Sequence, residues 1–109
     1  MSSAAQSIPP IDIRPEHWTM VRDILRQHVP EYAVWAFGSR ARGSARRCSD
    51  LDLAVITDAP MPIPRMAALK AAFSESDLPW RVDIVDWSVT SDRFRRIIER
   101  ERIPLPLGG

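Results

Sequence analysis

An apolar run that ends in glycine, followed at a fixed distance by paired acids, limits this chain more than any other feature. Tyr32-Ala33-Val34-Trp35-Ala36-Phe37 is short, apolar and rich in β-formers, which predicts a buried strand. Gly38 follows it directly, and glycine lets the backbone turn sharply and approach a bulky anion. Ser39 adds a small hydroxyl and a backbone N–H at the same point. Ten residues then separate Ser39 from Asp50-Leu51-Asp52, which open a second apolar run reaching Thr57. At the period of a strand, Asp50 and Asp52 fall on one face and Leu51, Leu53 and Val55 on the other. Two like charges side by side repel, and a hard divalent cation relieves them. The implied chemistry is magnesium-dependent work on a nucleoside triphosphate.

At 109 residues, the sequence has room for one modest core. The net charge of +1 makes no demand for a nucleic-acid or membrane partner. Basic residues are nevertheless dense inside the motif, at Arg40, Arg42, Arg46 and Arg47. Two readings stay open for them: a solvated, helix-favouring loop, or contact with phosphate. Cys48 is the single cysteine, which forbids an internal disulfide and points to a reducing, cytoplasmic setting. As a small residue in a turn without a base beside it, Cys48 is not expected to act as a nucleophile. His17 and His28 lack metal-ligand spacing, and zinc is disfavoured for want of soft ligands. There is no Gly-Lys-Ser/Thr loop and no dinucleotide-binding glycine pattern. Residues 1–7 are small and polar, too short in apolar content for a signal peptide or membrane span. Residues 1–11 are expected to form a flexible tail, and 12–109 a single domain.

Helices are predicted over Pro15–His28, with Trp18, Val21, Ile24 and Leu25 facing inward, over a short stretch near Arg40–Ala45, and around Met66, Leu69 and Phe73. A last helix, capped by Ser91, should bury Phe94, Ile97 and Ile98. A third strand is expected at Arg81–Trp87, and Ile103–Gly109 as an extended end. Three strands alternating with helices predict an α/β (α+β) class, with a small mixed sheet and flanking helices. Strand order and direction stay open.

Asp83 interrupts the third strand on the face opposite Val82 and Ile84, where an unpaired charge is costly to bury. If this strand neighbours the second, Asp83 completes a three-carboxylate cluster with Asp50 and Asp52. Asp86 falls on the other face and is expected to be a solvated strand end or a cap. Three carboxylates suit nucleotidyl transfer, in which two magnesium ions clamp the attacking and leaving oxygens.

The stretch from Phe37-Gly38-Ser39-Arg40-Ala41-Arg42 through Ser49-Asp50-Leu51-Asp52-Leu53, with Val82-Asp83-Ile84-Val85 downstream, resembles the minimal nucleotidyltransferases of the DNA polymerase β-like superfamily. Their signature is Gly-Ser, ten residues, then Asp-x-Asp. Phe94 to Ile103 also resembles the family's last helix. The resemblance implies a polymerase β-like palm, with Asp50, Asp52 and Asp83 as catalytic metal ligands for Mg2+. The nucleotide would fall to Gly38, Ser39, Arg40 and Arg42, with ATP as substrate. It further implies an antitoxin of a type VII HEPN/MNT toxin–antitoxin pair, which moves AMP from ATP onto a tyrosine of a HEPN-domain toxin. Direct nucleic-acid binding and membrane association are not expected. A non-catalytic module that neutralises a HEPN ribonuclease by contact is the alternative. An antibiotic-modifying transferase fits less well, since no substrate domain is present.

Overall fold

A computed structural model describes residues 8–108. Helix α1 (Pro15–His28) starts with proline in its first turn, where a missing N–H costs nothing. It buries Trp18, Val21 and Leu25 as one stripe, and the Val29 N–H closes it on the Leu25 carbonyl before Pro30. Strand β1 (Ala33–Phe37) leads through Gly38 into a single helical turn, α2 (Ser39–Arg42), which Gly43 ends in the left-handed conformation. Strand β2 (Leu51–Ile56), helix α3 (Ile63–Ser74) and strand β3 (Val82–Asp86) follow. A 3-10 turn at Trp87–Val89 then precedes α4 (Asp92–Glu101) and a two-residue strand, β4 (Ile103–Pro104).

The sheet has the order β3-β2-β1-β4. β1 runs antiparallel to β2 and to β4, whereas β2 and β3 are parallel, joined by a crossover through α3. The mixed sheet with flanking helices is the architecture expected from the sequence. β4 was not: Ile103 and Pro104 pair with Ala36 and Trp35, making an edge strand of what reads as an extended end.

Alternation along the strands separates two cores. On one face Val34, Ala36, Leu51, Leu53, Val55 and Ile84 pack with Trp18, Val21 and Leu25 of α1 and with Leu69 and Phe73 of α3. On the other, Phe37 and Ala54 pack with Ile98 of α4, flanked by Trp35, Ile56, Val85 and Phe94. Ser91 caps α4, its hydroxyl accepting from the Phe94 N–H. Ile97, expected inside, is exposed. The ten-residue helix α4 has one buried position, Ile98, so its apolar stripe is narrower than the pattern suggested. Residues 1–7 of the expected tail lie outside the described residues. Residues 8–11 do not continue it: Pro9 is buried and Ile11 packs on the larger core.

Candidate active site

The paired acids sit on the α4 face of the sheet, beyond the apolar patch that α4 covers. Register makes this unavoidable. Asp52 is opposite Phe37 on β1 and opposite Asp83 on β3, and Ala54, two residues further along β2, is opposite Trp35 and Val85. Trp35, Ala54 and Val85 belong to the α4 core, so Asp52 and Asp83 extend the same face past its edge. Asp50, two residues before Asp52, precedes the strand at this end. The parallel β2–β3 pairing, which the sequence left open, brings Asp83 beside Asp52.

Gly38 closes the site from the β1 side. Its φ of 80° lies in the region that favours glycine. A Cβ there would collide with the Asp52 carboxylate. The Gly38 carbonyl accepts from the Ala41 and Arg42 N–H groups, and the Ser39 carbonyl from the Ser44 N–H, so the turn is tightly wound. The Gly38 N–H donates to Glu101 Oε1 (3.0 Å), and Arg42 Nη1 to Glu101 Oε2 (2.9 Å). Glu101, the last residue of α4, is the participant that sequence reading missed. Nothing in the spacing around Gly38 and Ser39 points to a residue so far along the chain.

Burial raises the Asp52 carboxyl to about 6, assisted by the charges of Asp83, Asp50 and Glu101 and opposed by Arg42. Among the described residues no hydrogen-bond donor reaches Asp50, Asp52 or Asp83. Nor do any three His, Cys, Asp or Glu side chains converge into a metal-holding cluster by themselves. The expected trio is therefore close enough for its charges to be felt but is not a closed protein cage. That arrangement fits Mg2+, which typically takes one or two carboxylates and completes its shell with water and substrate phosphates. Carboxylate oxygens are also the hard donors such an ion prefers.

The arginines divide. Arg42 stands at the mouth. Arg40, expected to contact nucleotide, is buried, and its donors go to backbone carbonyls: Nε to Ser49 (2.9 Å), Nη1 to Asp12 (2.7 Å) and Nη2 to Arg47 (3.2 Å). Its guanidinium also lies 4.4 Å from the Trp80 ring centroid. Arg40 therefore organises the loop that delivers Asp50, and phosphate could reach it only by dismantling that loop. Arg46 and Arg47 are exposed on the same loop, as is Cys48.

Asp86 caps the 3-10 turn, as one of the two readings had it, but it is buried rather than solvated. Its carboxylate accepts from Thr57 Oγ1, from the Met61 N–H (2.7 Å) and from the Ser88 N–H and hydroxyl (3.0 and 2.8 Å). Burial pushes its pKa upward, but the hydrogen bonds outweigh burial and hold it below the ordinary carboxylate value.

Residues 20–105 match the family described as polymerase beta, nucleotidyltransferase. The chain is 53% identical over 100 residues to the probable protein adenylyltransferase MntA of Haemophilus influenzae, covering 92% of this chain and 84% of that protein. Among solved structures, it resembles a minimal nucleotidyltransferase at 37% identity and a TM-score of 0.65, covering 86% of this chain and 98% of the other. It also resembles a toxin–antitoxin crystal structure with AMP-PNP, at 25% identity and a TM-score of 0.68, covering 84% and 72% of the two chains.

Proposed function

The chain belongs to the polymerase β nucleotidyltransferase family, and from that premise we propose that it is an antitoxin that transfers AMP from ATP to a tyrosine of a HEPN-domain toxin. The observation that carries this reading is the register of Asp52 against Asp83 beside the Gly38 turn. It puts unneutralised carboxylates next to a backbone shaped for phosphate. The protein-adenylyltransferase relative and the toxin–antitoxin neighbour with AMP-PNP support the acceptor class and the nucleotide.

In this reading Asp50, Asp52 and Asp83 hold two Mg2+ ions. When bound, these ions neutralise the triphosphate and lower the pKa of the attacking hydroxyl. The Gly38 N–H, the Ser39 hydroxyl and Arg42 hold and orient the phosphates, which sets the in-line geometry on which transfer depends. The tyrosine oxygen forms a bond to the α-phosphorus, the bond to the diphosphate breaks, and the phenolic proton leaves to water. Arg40 keeps the loop before Asp50 in place. The sheet face beyond α4 is open, so the acceptor hydroxyl comes from a protein docked over Gly38, Asp52 and Asp83, with exposed Arg46 and Arg47 as guides.

Intact-mass spectrometry of the chain co-expressed with its HEPN-domain partner tests the proposal. The partner should gain whole AMP units with the wild-type chain and none with Asp50→Asn. A partner that is inhibited equally by both chains, and unmodified by either, would make this protein a contact inhibitor.

A further inference from the structure

One contact in the site is unexplained by nucleotidyl transfer. Glu101 places a carboxylate against the Gly38 N–H and the Arg42 guanidinium, using one oxygen for each. These donors are 63 and 59 residues away in sequence, so tertiary packing alone brings them together.

The position is a poor one for an acid on local grounds. Glu101 ends α4, and a helix C-terminus disfavours negative charge. It also adds to the repulsion already acting on Asp52. What holds it is the pair of donors, one of them charged, which suit an anion. Those are the donors that the proposed nucleotide site offers to phosphate.

We propose that Glu101 is an internal substitute for phosphate, which occupies the Gly38 N–H and Arg42 in the resting protein and is displaced when a triphosphate binds. The proposal rests on the nucleotide site above and adds a self-limiting contact to it. The carboxylate keeps the Gly-Ser turn and Arg42 ordered between turnovers. In exchange, it lowers the apparent affinity for nucleotide, because the ligand must first break two charge-assisted hydrogen bonds.

Glu101→Gln keeps the side chain's size and one acceptor while removing its charge. Binding of ATP, of tripolyphosphate and of adenosine to the full chain, measured by calorimetry in magnesium, provides the test. Glu101→Gln should tighten ATP and tripolyphosphate about fivefold and leave adenosine unchanged, since only the phosphates compete with the carboxylate. Glu101→Ala, confirmed as folded by its melting curve, should behave alike. If the wild-type chain fails to bind ATP and Glu101→Gln binds it, the substitute is simply stronger than expected and the proposal stands. If wild type binds and both variants bind equally or more weakly, Glu101 is a strut between α4 and the turn, and the proposal falls while the nucleotide site survives. If no form binds ATP, both readings fall together.

Discussion

Asp83 and Asp86 lie three residues apart on β3 and have opposite surroundings. Asp86, at the end of the strand, accepts four hydrogen bonds from Thr57, Met61 and Ser88. Asp83 and its register partner Asp52 receive none from the described residues, and burial beside like charges raises the Asp52 carboxyl to about 6. An acid whose acceptors are filled by the protein is fastening the fold. An acid placed next to other acids with its acceptors left open does nothing for the fold, and in the proposed function it is held for a metal ion. The contrast separates a carboxylate that fastens the fold from those proposed to serve the site, which composition treats alike.

The largest expected effect is on transfer. Asp52→Asn should lower nucleotidyl transfer by at least about 100-fold, because even groups that only support a metal ligand are worth about 10–100-fold. Labelled-ATP assays with the partner toxin would measure it, and near-wild-type transfer would break the functional half of the comparison. Next comes Asp86→Ala, which strips the acceptor from buried donors and should cost about 3 kcal/mol of stability. Because the folded carboxyl titrates below its unfolded value of 3.8, the stabilisation is complete above about pH 4. It is lost as pH falls through the folded pKa. Urea melts of the two proteins should therefore differ less in acid than at neutral pH.

The arginines sharpen the same division. Arg40→Ala should destabilise the fold by about 2 kcal/mol through its orphaned carbonyls. Arg42→Ala should leave melting nearly unchanged and weaken ATP binding roughly tenfold. Parallel melts and calorimetry would show whether the two losses separate. The smallest effect is a gain. The Asp52 charge opposes folding fully above about pH 6 and not at all below 3.8, so its cost grows as pH rises between those values. In chelator at pH 7, Asp52→Asn should therefore stabilise the protein, on the order of 1 kcal/mol after solvent screening. The gain should vanish near pH 4, and a gain that persisted there would place its origin elsewhere.

Helices and strands with strong periodicity were legible before the fold was known. Trp18, Val21 and Leu25 announce α1, and Ser91 announces the start of α4. Asp50 and Asp52 share a face by the arithmetic of a strand, and Gly38 marks its turn. What escaped depends on tertiary placement. Glu101 reaches Gly38 only because α4 crosses the sheet, and Arg40 finds its carbonyls only once the loop after it has folded back. The pair Ile103-Pro104 is too short to carry a strand pattern and becomes one through β1. Ile97 matched the helical period yet lies beyond the narrow strip of α4 that the sheet covers.

β4 bears on how the protein can assemble. It lies on one margin of the sheet, outside β1, and Pro104 and Pro106 cannot donate a backbone hydrogen bond there. That margin is sealed against another β-strand, so the sheet cannot be lengthened from that side into a ribbon of copies. Any partner that grows the sheet must approach along β3, the strand carrying Asp83. Such a partner would lie beside Asp83 at the sheet edge, whereas the acids themselves open on the α4 face.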